Sequence, residues 1–289
     1  MNTKNSRLYT KVYRGGVLLA GILLAFSVLS GCKDASDSEG GTAGSGGSGN
    51  SSQYTKVAYE NLATYLASAS STEVNYIEIT GTIPAADLIG TFDTGEDVAK
   101  HGELGKRLKD SGKKIALKLP ANIAPGTSME YCFGGCTNLV SVENIPSGVV
   151  NMKGSFEGCT ELTGVPSIPS GVTTMQSCFR KCTSLTTAPA VPGSVTTLSF
   201  CFAECTELKN APVVSAAVNK MSQCFKGCSK LTAVTLKCNY VSGEFLLTFD
   251  ACNALLAGSI TVPQGTLTAY TGAASGMGTT ADKFKEAAD

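Results

Sequence analysis

A 23-residue unit runs five times from residue 129 to residue 243 without losing register. Met129, Met152, Met175, Leu198 and Met221 open the units. Behind them follow Phe133, Phe156, Phe179, Phe202 and Phe225, then Cys136, Cys159, Cys182, Cys205 and Cys228. A leucine column comes next, at Leu139, Leu162, Leu185, Leu208 and Leu231, and each unit nears its end at Val149, Val172, Val195, Val218 or Val241. Apolar columns at one fixed period mean that each unit buries its face against its neighbours, so the chain must build a solenoid.

The third unit, MQSCFRKCTSLTTAPAVPGSVTT, shows what one coil contains. Met175, Cys178/Phe179 and Cys182 stand at i, i+3/i+4 and i+7, which predicts one face of a short helical turn. Leu185 to Ala188 extends, and Pro189 and Pro192 hold the chain out of helical conformation. Gly193 permits a turn, after which Val195 points inward. The expectation is an α/β repeat solenoid with short parallel strands about 4.8 Å apart, short helical turns and irregular terminal caps. Counting Phe249 in a last irregular unit, six phenylalanines stack along the axis, each worth ~1.5–3 kcal/mol on full burial.

A period of about 20–29 residues is that of leucine-rich arrays. The patterns F-x-x-C-[TS]-x-L and P-x-x-V-T-x-[ML] resemble the BspA-type leucine-rich repeats of oral and gut bacteria and of treponemes. The resemblance covers residues 129–263 and implies a leucine-rich-repeat fold in a surface lipoprotein. It further implies adhesion to host matrix, to cell-surface proteins or to other bacteria. No cofactor is expected. Two departures stand out. The family usually has a small residue before the phenylalanine, where this chain has Cys132, Cys178, Cys201 and Cys224, with Ser155 in the second unit. Prolines crowd the strands at Pro166/Pro169 and Pro189/Pro192, so the strands should be short.

The amino-terminal stretch is an address. Lys4, Arg7, Lys11 and Arg14 precede an apolar run from Val17 to Leu29, shorter than the ~20 residues that span a bilayer, and small residues follow; the pattern is that of a secretory signal over 1–31. The tetrapeptide Leu29-Ser30-Gly31-Cys32 resembles the bacterial lipobox, which implies cleavage between Gly31 and Cys32 and lipidation of the Cys32 thiol, hence attachment to a membrane. Residues 32–53 have almost no apolar content and form a flexible Gly/Ser-rich tether, spanning roughly 25 Å on average.

Residues 54–128 are expected to cap the solenoid. Tyr54, Val57, Ala58, Asn61, Leu62, Tyr65, Leu66 and Ala69 suggest an amphipathic helix. Val74–Ile79 and Ile115–Leu119 suggest strands, with Ala116 and Lys118 outward, and Glu103–Asp110 suggests a crossover helix between them. Residues 264–289 form the other cap, after a strand at Ile260–Val262, with a short closing helix at Thr280–Lys285 that lays Phe284 over the open end.

The chain has 23 basic and 23 acidic residues. Removing the four bases before Cys32 leaves 19 against 23, about −4, which gives no electrostatic case for nucleic acid. With Cys32 assigned to lipid, eleven cysteines remain; the Cys136 column is expected to pack as small hydrophobes, and bridges stay open for the Cys132 column. Cys-x-x-x-Cys lacks zinc-knuckle spacing, so no metal is expected. His101, the single histidine, is expected at the surface. No nucleophile–base pair, metal cluster or phosphate loop is present, so the chain is not expected to be an enzyme. The functional expectation is an outward-facing, outer-membrane-anchored adhesin that binds a protein or glycan. The alternative is a periplasm-facing structural or assembly lipoprotein of the envelope. The binding residues are not named by the repeats; Glu157, Arg180, Lys181, Glu204 and Lys226 are the charged positions expected to be exposed.

Overall fold

Residues 55–143 already lay down the sheet that the repeats extend. A computed structural model describes residues 53–93, 98–121, 123–124, 126–165 and 167–288, which fall within one compact unit, Asn50–Asp289. The signal, Gly31, Cys32 and Pro166 lie outside the described residues. Strand β1 (Thr55–Ala58) leads through a 3-10 turn at Tyr59–Asn61 to helix α1 (Leu62–Ser68), and strand β2 (Asn75–Thr80) follows. The single helix expected over 54–69 is therefore helical only from Tyr59 on, its first four residues after Tyr54 being strand. Thr55–Ala58 pair in parallel with Ile77–Thr80, and this pairing at the sheet edge outweighs the local helical spacing.

A hairpin of β3 (Thr91–Asp93) and β4 (Val98–Lys100) precedes helix α2 (Glu103–Asp110) and strand β5 (Ile115–Lys118). Leu104 and Leu108 bury one face of α2, Glu103 sits in its first turn and Arg107 and Lys109 in its last, matching the helix dipole. Ala116 is buried at 1% exposure rather than outward, because Tyr76 and Ser141 flank it in register on the neighbouring strands. Strands β6 (Thr127–Ser128), β7 (Leu139–Glu143) and β8 (Val149–Asn151) open the repeats. The sheet order is β1-β2-β5-β7, all parallel, so cap and first coil share one sheet. Beyond it the ladder thins to single bridges, Ser141 with Gly164 and Thr187 with Asn210, along the proline-rich coils.

The helical turns are replaced by another structure. In the third coil Cys178 N–H donates to Met175, Cys182 to Phe179 and Leu185 to Cys182, all at 3.1 Å, so turns follow one another. The alternate donors leave the coil: Met175, Ser177, Phe179 and Lys181 N–H donate to Thr197, Ser199, Cys201 and Ala203 at 3.0, 2.9, 2.8 and 2.8 Å. A helix would satisfy every N–H within itself, whereas here half of them join neighbouring coils. Two left-handed residues per coil make this possible: Ser177 at φ 54° and Lys181 at φ 62° in this coil, and Tyr131 and Gly135, Gly154 and Gly158, Phe200 and Glu204 in others. The i, i+3/i+4, i+7 spacing is thus the spacing of stacked turns.

The Phe133, Cys136 and Leu139 columns, with their equivalents in all five coils, have no exposed surface. Phe133, Phe156, Phe179, Phe202, Phe225 and Phe249 stack with ring centroids 5.4, 5.4, 5.5, 5.7 and 6.0 Å apart. Strands β9 (Asn210–Val214), β10 (Ala233–Leu236) and β11 (Ile260–Val262) rebuild a parallel sheet at the far end. Helix α3 (Leu267–Ala273) and a 3-10 turn at Ala281–Lys283 lead to strand β12 (Phe284–Glu286), which pairs with β11. The closing helix expected over 280–285 is thus one 3-10 turn at Ala281–Lys283 that gives way to strand at Phe284, because β11 offers a free edge. Phe284 still covers the core end, 5.7 Å from the Tyr270 ring and 6.3 Å from Phe249.

Candidate binding groove

The outward-facing side of the turn ladder carries residues that the core columns do not use. One is the third residue of each coil, the left-handed position: Tyr131, Gly154, Ser177, Phe200, Gln223 and, one residue late, Leu247. The β3–β4 hairpin stands beside this row. Gly90 brings it close, since a Cβ there would lie 2.2 Å from the Lys100 carbonyl oxygen and 2.5 Å from that of Tyr131. Its N–H donates to the Glu130 carbonyl at 2.7 Å. Between hairpin and ladder runs a groove of about 750 Å³.

The hairpin end of the groove is aromatic. The Phe92 ring lies 5.7 Å from that of Tyr131, which rests on Gly154. Lys153 Nζ sits 5.3 Å above the Tyr131 ring and 2.8 Å from Glu130 Oε1. The Glu130 carboxylate holds the Lys153 ammonium above its ordinary pKa, and burial pushes the Tyr131 phenol up. Further along, Arg180 donates to Glu157 Oε1 at 2.9 Å and reaches Glu204 at 3.7 Å. Glu157, expected at the surface, is buried at 3% exposure because Arg180 from the next coil folds over it. Lys226 pairs with Asp250 at 3.3 Å, so Glu157, Arg180, Glu204 and Lys226 form cross-coil pairs rather than isolated surface charges. Phe200, half-buried, closes the far end, with Gln176 and Ser177 on the floor between. The Gln176 carboxamide makes no hydrogen bond to the described residues.

The cysteines belong to the interior. The eleven described cysteines are free and buried. Cys159, Cys182, Cys205 and Cys228 donate their S–H to the carbonyl of the phenylalanine in the preceding coil, Phe133, Phe156, Phe179 and Phe202, at 3.0–3.1 Å. Ser155 and Thr248 stand in the Cys132 column and donate to the Met129 and Met221 carbonyls at 2.8 and 3.1 Å. Burial pushes these thiols up, Cys205 to about 12, so they are not nucleophiles near neutral pH. His101 is half-buried rather than at the surface. Its Nδ1 is enclosed without a hydrogen bond, and burial lowers its pKa. Among the described residues no three His, Cys, Asp or Glu side chains gather as a metal site.

The groove residues were not singled out by the repeats, because Tyr131 and Phe200 break no core column. Their mark in the sequence is an aromatic two residues after the opening Met129 or Leu198, where other units carry Gly154, Ser177 and Gln223.

Residues 127–232 match the model of the BspA-type leucine-rich repeat region, in six copies. No curated protein matches the chain. Among solved structures, the chain is similar to the crystal structure of a Treponema pallidum leucine-rich repeat protein, with 25% identity over 61% of this chain and 80% of that one, at a TM-score of 0.43. Repeats of this kind point in general to protein–protein binding or adhesion.

Proposed function

We propose that this protein, whose residues 127–232 match the model of the BspA-type leucine-rich repeat region, is a lipid-anchored binding module that engages an extracellular ligand through the groove between hairpin and turn ladder. The observation that carries the proposal is the groove itself. The repeats need only the core columns to fold, yet Phe92, backed by Tyr131, and Phe200 stand at the two ends of one groove with paired charges between them. A concave surface with aromatic walls and a few placed polar groups is what ligand sites share, and about 750 Å³ lies within their usual span of roughly 300–1,000 Å³. The Leu29-Ser30-Gly31-Cys32 tetrapeptide supports anchoring, and residues 33–53 support a tether that holds the folded part off the membrane.

Protease treatment of intact cells, beside lysed controls, tests the placement. Loss of the protein from intact cells supports an adhesin facing outward; survival until lysis favours the envelope-assembly alternative. Replacement Cys32→Ala should abolish incorporation of a radiolabelled fatty acid and release the protein from the membrane fraction. Persistent labelling would remove Cys32 as the anchor.

A further inference from the structure

We infer that the groove takes a neutral oligosaccharide. This rests on the binding reading above and gives it a ligand class. The lining is selective in an unusual way. Its apolar surface is aromatic, the half-buried rings of Phe92 and Phe200 with Tyr131, 5% exposed, packed behind Phe92, and no Leu, Ile, Val or Met takes part. An aliphatic peptide anchor would be met by branched side chains filling a pocket around it. Flat rings instead suit the C–H face of a sugar, whose hydrogens carry partial positive charge and pack on the electron-rich aromatic face as cations do.

The polar lining points the same way. Glu130, Gln176 and Arg180 present planar carboxylate, carboxamide and guanidinium groups, which hydrogen-bond neighbouring hydroxyls in pairs, while Glu157 lies buried beneath Arg180. The charges of the groove cancel, since Lys153 lies 2.8 Å from Glu130 and Arg180 2.9 Å from Glu157. Each cation is thus already engaged by a carboxylate, which disfavours sulfated or carboxylated sugars. Length favours an oligomer over a single ring. Phe200 lies three coils from Tyr131, roughly 14 Å along the axis at about 4.8 Å per coil. The Gln176 carboxamide, with no hydrogen bond to the described residues, stands midway on the floor.

The test is to probe the purified full-length chain, its Phe200→Asn and its Gln176→Ala variants on an array of neutral and anionic oligosaccharides. Asparagine tolerates the left-handed backbone of position 200 and removes only the half-buried ring. Thermal denaturation checks that both variants are folded, and Gln176→Ala carries the test should Phe200→Asn not fold. The expected result is binding to neutral chains, weakened about tenfold by Phe200→Asn and about three- to tenfold by Gln176→Ala. Binding confined to anionic chains, or to none, or unchanged in both variants, overturns the inference. Adhesion of intact cells to immobilised matrix proteins, measured on the same variants, separates this failure from that of the binding proposal. If no sugar binds but Phe200→Asn or Gln176→Ala reduces adhesion, the groove binds protein. If neither assay responds, the groove is not a binding site.

Discussion

Each thiol of the Cys159–Cys228 column does two jobs at once, filling core volume and donating to a phenylalanine carbonyl that already accepts an N–H from its own coil. Alanine at Cys205 would lose both the donor and the sulfur volume, so Cys205→Ala should cost about 1–2 kcal/mol in chemical denaturation. Cys205→Ser retains the donor to Phe179 and should recover part of that loss. Burial also ties these thiols to pH. Cys136, Cys205 and Cys252 are raised from 9.0 to about 12. Below the unfolded value both states hold the proton and the stabilisation is whole. Above it the unfolded chain releases protons that the folded chain keeps, so stability falls by about 1.4 kcal/mol per pH unit for each buried thiol until the folded value is reached. Circular dichroism should therefore show cooperative unfolding setting in a little above pH 9, with thiols unreactive to a disulfide reagent before that transition and reactive after it. A signal that stays flat to about pH 11 would contradict the burial of the columns.

At the scale of one element, the turn ladder explains what the sequence could and could not disclose. The apolar columns were legible, because side-chain period alone sets which residues face the core. The backbone was not, because stacked turns and a short helix share the i, i+3/i+4, i+7 spacing. What separates them is the left-handed residue at the third and seventh positions. Gly135, Gly158 and Gly227 hinted at the second of these, but Tyr131, Ser177, Phe200 and Gln223 left the first unmarked. The groove was hidden for the same reason, since its walls belong to that unmarked row and to a hairpin far away in sequence. Two glycines of the ladder should respond differently to substitution. A Cβ on Gly154, at φ 60°, would lie 2.0 Å from Tyr131 Cε1, whereas one on Gly227, at φ 75°, meets nothing nearer than Glu204 Cα at 3.5 Å. Gly154→Ala should therefore cost about 2–3 kcal/mol and weaken ligand binding by displacing Tyr131. Gly227→Asn should cost less than about 1 kcal/mol, because only backbone preference is at stake. Urea titration of both variants checks the contrast, and equal losses would mean that the Tyr131 contact does not set the cost.

For the whole molecule, coils contact mainly their neighbours, so stability should be a sum of coil and interface contributions rather than a property of one indivisible core. Removal of one period tests this directly. Deleting residues 198–220 joins Thr197 to Met221 and places Phe225 on Phe179, Cys228 beside Cys182 and Leu231 beside Leu185, preserving every column. The buried Glu157–Arg180 pair stays intact. The shortened chain should fold cooperatively, with a urea m value reduced in proportion to the surface lost. A deletion of residues 198–209 removes about half a coil, throws Phe and Cys columns out of phase, and should give a chain that does not fold. The same deletion of 198–220 also removes Phe200 and leaves Gln223 at the end of the groove. A folded protein that has lost its ligand would thus separate the two layers of the sequence, columns that build the solenoid and an outward row that confers binding. If binding survived the loss of that coil, the groove would need neither Phe200 nor its full length, and the ligand would have to sit at Phe92 and Tyr131 alone.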